Sequence, residues 1–374
     1  MGSVWKKDNV YLLLKQKILS GEFAPGLKLP RELDFSRELH VAKVTLRSAL
    51  ARLESEGLVE RLPSKGTFVR APRESGSILI LHRNQGAIHY PWHYIVPGIS
   101  AAAAETGVQT SFCFLEYLRD LGVKKALEHL RDMDLSGILV VGSTFGGSEL
   151  EIEIFHRLGK PILLVHPRMN DHITTGFSSL VTDTRAAWRA GLKHLADSGR
   201  TDVRILELGE FSRRWESAEY PSLFRELGLR TDGQLSYFLE DYYFSRESVE
   251  SALDRLLGDH PETQAVYCYS DFVAITVMET LAKRGIRVPD DVAVMGYCGY
   301  PGNTMLETPL STVDLGYMDI GRMAVDLLPR CPEGTAVRHL SPYRVIERKS
   351  TERGRQTQIF ALHDTKQPYR RIEL

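Results

Sequence analysis

Apolar residues recur with a helical period at the start of the chain. Between positions 8 and 20, Tyr11, Leu14 and Ile18 share one face, widened by Leu12, Leu13 and Leu19, which predicts a first helix. Gly21, Pro25 and Gly26 end it in a turn. Pro30 stands where a second helix can begin, because a first-turn proline gives up no intrahelical hydrogen bond, and RELDFSREL carries that helix to about Leu39. A third helix starts near Ala42 and buries Leu46, Ala49, Leu50 and Leu53, leaving Lys43 and Arg47 together on another face near its N-terminus. The period then changes. EGLVERLPSKGTFV reads as two short strands around a Pro-Ser-Lys-Gly tip.

Beyond a polar linker, placed at 73–76, short apolar runs alternate with helical patterns. Strands are expected at 77–81, 110–114, 137–141, 161–165, 203–208, 265–269 and 292–296, with helices at 96–106, 123–132, 184–198, 246–257 and 272–284. Strand–helix alternation with short connections predicts parallel sheets covered by helices on both faces. The region is too long for one such sheet, so two lobes are expected. The fold class is α/β: an N-terminal winged helix-turn-helix plus a two-lobed, doubly wound parallel-sheet domain.

Composition changes the picture in one respect. Net charge is -1, but residues 1–72 carry 13 Lys and Arg against 8 Asp and Glu, while the remainder carries 34 against 40. A basic head on an acidic body points to a polyanion met by the head alone. No run of eighteen apolar residues suggests a membrane span, and the N-terminus does not read as a signal peptide, so a cytoplasmic protein is expected. Cys113, Cys268, Cys298 and Cys331 have no metal-ligand or redox spacing and read as reduced thiols. Nucleophile-elbow, Walker, dinucleotide and zinc-protease motifs are not found, so no catalytic residue, metal or cofactor is expected.

Three helices followed by a hairpin form a winged head. Its third helix can enter the DNA major groove, and Gly66 lets the Lys65 tip approach the backbone closely. LPRELDFSRELHVAKVTLRSALARLESEGLVE and GTFV resemble the gluconate-repressor (GntR) family over about residues 10–70. That resemblance implies DNA contacts from Arg31, Lys43, Thr45, Arg47, Lys65, Gly66 and Thr67. It also exposes departures: Leu33 stands where the family has a DNA-contacting Arg, Ala42 where it has a capping Ser, and Lys43 where it has an Arg.

RVPDDVAVMG, PLSTV and the Gly321-x-x-Ala324 helix resemble the effector domain of the lactose-repressor (LacI/GalR) family, as do 181–199 and the final YRVIERKST. The resemblance covers about 77–352. It implies a periplasmic-binding-protein-like domain over 77–353, its first lobe about 77–182 and 313–330, its second about 183–311 and 335–350, with a tail at 354–374. Ligands of open α/β sheets bind beyond the carboxyl ends of the strands. That rule, with the resemblance, nominates His82, Trp92, His166, Arg168, Arg214, Glu216, Asp271 and Tyr297. The family's usual Asn-Asp is Ser270-Asp271 here, and its Gly-Tyr-Asp-Asp is Gly296-Tyr297-Cys298-Gly299, so a hydroxyl acceptor is gone. Together the two resemblances imply an arabinose-repressor-like architecture: a ligand-responsive repressor, dimeric on operator DNA and released by a sugar-like effector. The alternatives are a non-sugar metabolite as effector, or a sugar-binding or enzymatic domain with a non-regulatory head.

Overall fold

The computed structural model describes residues 4–19, 22–24, 26–55, 57–62, 65–69, 76–84, 90–208, 218–239, 245–331 and 335–352. In the head, α1 (Val4–Leu19), α2 (Glu32–Glu38) and α3 (Lys43–Ser55) precede an antiparallel hairpin of β1 (Val59–Leu62) and β2 (Gly66–Val69). A single apolar cluster joins them: Tyr11, Leu14 and Ile18 from α1, Phe35 from α2, Leu46, Leu50 and Leu53 from α3, and Val59 and Val69 from the hairpin. The Ala42 carbonyl accepts from the Thr45 and Leu46 amides, but an alanine offers no side-chain oxygen to the free N–H groups of the first turn.

The body begins with β3 (Ser77–His82), α4 (Trp92–Thr106), β4 (Thr110–Phe114), α5 (Leu115–Asp132), β5 (Leu135–Val141), α6 (Leu150–Leu158), β6 (Ile162–Val165), α7 (Asp171–Thr175) and β7 (Ser178–Thr182). After a crossing come α8 (Thr184–Asp197), β8 (Val203–Leu208), α9 (Tyr220–Glu226), β9 (Ser236–Leu239), α10 (Arg246–Asp259), β10 (Ala265–Cys268), α11 (Asp271–Lys283), β11 (Ala293–Cys298) and β12 (Ser311–Asp314). The chain returns through α12 (Tyr317–Leu327) and β13 (Arg338–Ser341), then crosses again to β14 (Arg344–Ile346). Two six-stranded sheets result, ordered β13-β7-β6-β5-β3-β4 and β14-β12-β11-β10-β8-β9. All their pairings are parallel except β12 with β14.

Two expectations change. β13 pairs with β7, so 338–341 belongs to the first lobe rather than the second, and the last crossing lies between Ser341 and Arg344. β12 pairs with β11, which keeps Val313 in the second lobe. At the crossings, the Thr182 and Ser341 hydroxyls lie 2.6 Å apart, and the Asp183 carboxylate accepts from the Ala186 amide, capping α8. Helices α4 and α12 approach backbone to backbone: a methyl group at Gly98 would overlap the Met318 carbonyl, and one at Gly321 the Ile95 carbonyl. The tail at 354–374 and the linker residues 73–75 lie outside the described residues.

Candidate functional site

The head presents one exposed face. On α3, Lys43 and Arg47 are exposed and Thr45 is half-buried; Arg31 is exposed just before α2. Lys65 and Gly66 are exposed at the hairpin tip, and Thr67 is half-buried, its carbonyl accepting from the Leu29 amide. Gly66 has φ of 116° and lies against the Lys28 side chain, which puts a second cation beside the tip. Arg47 is not free. Its Nε and Nη2 donate to Glu32 Oε2 at 3.1 and 2.9 Å, tying α3 to α2. Between Lys43 and Arg47 stands Val44, 70% exposed, which the sequence reading passed over. An exposed β-branched residue in the first turn of this helix is the available signal, since burial does not explain it. Leu33 is also exposed.

In the body, the C-terminal ends of the first-lobe strands bring some nominees together. The His82 ring, at the end of β3, stacks on Trp92 at 5.9 Å and meets Phe114 edge-on at 5.2 Å. Trp92 is the first residue of α4 rather than part of a loop, with Pro97 accommodated inside the helix, and Tyr90 stacks on it at 4.3 Å. His166 follows β6 with φ of 53°, its ring edge-on to Tyr317 at 5.3 Å. Arg168 is exposed, and its amide donates to Asp171 at 3.3 Å.

Two nominees do not reach the cleft. Tyr297 is fully buried within the second lobe, its ring 5.2 Å from Trp188 and its hydroxyl donating to the Thr184 carbonyl at 3.4 Å. Asp271 is 0% exposed. Its carboxylate accepts from the Thr312 hydroxyl and the Tyr300 amide, each at 2.6 Å, and also from Asn303 and the Gly299 amide. Ser270, not Asp271, caps α11. The expected hydroxyl acceptor is therefore a structural tie between α11, β12 and the loop after β11. Arg214 and Glu216 lie outside the described residues.

Residues not nominated complete the cleft. Tyr300 reaches from the second lobe to Tyr94 on α4 at 4.6 Å, and lies 5.7 Å from Tyr317 on α12 and 4.9 Å from Phe272. The Cys298 thiol is hydrogen-bonded with the Tyr300 and Tyr317 hydroxyls. Aromatic side chains thus bridge the lobes. Gly299 explains one departure from the resembled pattern, because the Asp314 carboxylate fills the space a side chain there would need.

Burial raises the Asp271 carboxyl to about 7, against the opposing pull of four hydrogen-bond donors. A carboxyl raised on folding binds its proton more tightly in the native state, so its contribution to stability falls as pH rises from the ordinary carboxylate range to about 7. Asp271→Asn removes that dependence but turns an amide donor toward backbone N–H groups. The substitution is expected to lower the unfolding midpoint, by more at pH 5 than at pH 8. Equal losses at both pH values would show that Asp271 does not titrate in this window. The other titrating groups cancel between the two proteins.

A basic winged helix joined to two sheets hinged at three crossings is the architecture of a DNA-binding regulator carrying its own small-molecule sensor. Residues 6–69 match the bacterial regulatory proteins of the gntR family, and residues 192–351 match the periplasmic binding protein-like domain. This chain therefore carries a GntR-type helix-turn-helix head on a LacI-type effector domain. It is 27% identical over 370 residues to the arabinose metabolism transcriptional repressor of Geobacillus stearothermophilus, covering 91% of this chain and 97% of that protein. It is 23% identical to the protein of the same name from Halalkalibacterium halodurans, covering 86% of this chain and 87% of that one. Among solved structures, a PurR family transcriptional regulator from Vibrio parahaemolyticus superposes with a TM-score of 0.60 at 17% identity, over 74% of this chain and all of that one. Among the described residues, no helix is long and apolar enough to cross a membrane, and no cluster of His, Cys, Asp or Glu could hold a metal ion.

Proposed function

We propose that this protein is a cytoplasmic transcriptional repressor that holds operator DNA as a homodimer and is released by a sugar-like effector bound between its lobes. The observation that carries this is the pairing, in one chain, of an exposed recognition helix with a hinged cleft whose lobes touch through Tyr94 and Tyr300. Two relatives named as arabinose repressors, aligned across head and body alike, support it. In this mechanism Lys43, Thr45 and Arg47 read the major groove, while Arg31, Lys65, Gly66 and Thr67 contact the backbone. His82, Trp92, His166 and Arg168 form the effector wall of the first lobe. Ligand can shift the lobe equilibrium only by binding one arrangement better than the other, and the Tyr94–Tyr300 contact is where the arrangements must differ.

The test uses the full chain. Duplexes are selected from a random library, and retention is then measured by fluorescence anisotropy with and without L-arabinose and other sugars, alongside sedimentation to count subunits. Retention of a two-fold symmetric duplex by a dimer, lost on adding a sugar, is the expected outcome. Failure to retain any duplex at low salt, or retention indifferent to every ligand, would sink the proposal.

A further inference from the structure

The first-lobe wall carries two arginines whose charge the protein leaves uncompensated. Arg83 follows the last residue of β3, and Arg168 lies just beyond β6; both strands flank β5. Two inter-strand steps separate the β3 and β6 ends by roughly 10 Å, so two arginine side chains from these positions can converge on one small group. Elsewhere in the body, arginines are commonly paired: Arg119 with Glu151, Arg185 with Glu219, Arg246 with Glu279 and Arg284 with Asp254. Among the described residues, no carboxylate lies within ion-pair distance of the Arg83 or Arg168 guanidinium.

The carboxylates on this edge are already engaged. Glu116 accepts from the Asn84 amide at 3.2 Å, and Glu149 from the Gly147 amide at 2.9 Å. Asp171 is buried, and it accepts the Arg168 amide. At the end of β5, between the two arginines, the Ser143 hydroxyl is buried without a hydrogen-bond partner. Trp92 supplies an apolar ring beside Gly142, whose added Cβ would come to 3.6 Å from it. Across the cleft, the carboxylates that would take neutral hydroxyls are absent at Cys298 and Gly299 or withdrawn at Asp271. This edge offers cations and a hydroxyl donor, with no free acceptor among the described carboxylates.

We infer that the effector is an anion, a sugar-type molecule bearing a carboxylate or a phosphate that Arg83 and Arg168 grip above Ser143. This rests on the cleft being the effector site. Guanidinium pairs bind carboxylate and phosphate with the same fork geometry, so the two sources share one subsite.

The experiment measures thermal unfolding and duplex retention of the full chain with D-glucose, D-gluconate, glucose 6-phosphate and inorganic phosphate, and repeats them with Arg83→Gln and Arg168→Gln. Both side chains stand at strand ends, and the unfolding midpoint without ligand checks that each variant folds. The expected result is stabilisation by gluconate or by glucose 6-phosphate but not by glucose, with the dissociation constant rising about tenfold or more in either variant. Gluconate acting alone identifies a sugar acid; the phosphates acting identify a sugar phosphate. Stabilisation by glucose equal to that by its anionic counterparts, anion binding unchanged in both variants, or no effect of any probe would overturn the inference. Duplex retention without ligand separates the two failures: if it persists, the regulator reading stands without the anion; if it is absent, that reading fails as well.

Discussion

Gly98→Ala is expected to destabilise the first lobe by about 3 kcal/mol or more, against the usual gain of roughly 1 kcal/mol when a helix glycine becomes alanine. The sign reverses because α4 and α12 lie in backbone contact. An added methyl at Gly98 would overlap the Met318 carbonyl, and backbone cannot step aside as a flexible side chain can. Gly321→Ala meets the Ile95 carbonyl from the other helix and should cost a similar amount. Gly258, in the last turn of α10, supplies the control: it has open space around it, so Gly258→Ala should hold or raise the unfolding midpoint. Chemical denaturation of the three variants decides the matter. Near-native stability of both Gly98→Ala and Gly321→Ala would show that the helices can part without cost. The consequence reaches the cleft, because α4 carries Trp92 and Tyr94 in its first turn and α12 begins at Tyr317. Separating the helices moves both aromatic walls, so the variants should also weaken effector response beyond their loss of stability.

The alternation of apolar runs made the layered architecture legible, but only where a strand was apolar. β7 reads SSLVT, and Ser178, Ser179 and Thr182 are buried between β6 and β13. Hydrogen bonding makes that tolerable: Ser178 accepts from the Val337 amide, and Thr182 lies against the Ser341 hydroxyl. A strand of this kind carries no apolar signal, and neither do the short β13 and β14. That is why the crossings were misplaced by several residues.

The cleft was legible by loop and not by side chain. The strand-end rule selected the right edge of each sheet, yet Tyr297 is still within the strand alternation and points into the core beside Trp188. The backbone turns at Cys298, with φ of 102°, and only after that turn does Tyr300 cross to the other lobe. Asp271 was nominated for its chemistry, but the loop it would have shared with a ligand folds back onto it. Periodicity specifies which face a residue takes inside an element; it does not specify where a side chain goes beyond the last hydrogen-bonded rung.

Arg47→Ala is expected to weaken binding to the selected duplex by about 5- to 150-fold, the 1–3 kcal/mol of a base-reading contact. Arg47 is 59% exposed, one helical turn beyond Lys43, and the Glu32 carboxylate holds its guanidinium at the α2–α3 corner. That pairing orders the side chain before DNA arrives, which reduces the entropy lost on docking. Glu32→Gln separates the two roles of the pair. It removes a negative charge from the DNA face and should strengthen binding to any duplex, while loosening Arg47 and narrowing the gap between selected and scrambled sequences. Val44 gives this head a further handle. An exposed aliphatic side chain between two cations suits a thymine methyl. Replacing thymine by deoxyuridine in the selected site should therefore weaken the native protein and leave Val44→Ala indifferent. Lys65→Ala, at the hairpin tip, should weaken selected and scrambled duplexes alike and lower the salt slope by about one counterion. Anisotropy titrations across a salt series measure all four. If Arg47→Ala bound the selected duplex as tightly as the native chain, α3 would not be the groove-reading helix, and Lys28 with Lys65 at the hairpin would become the principal contacts.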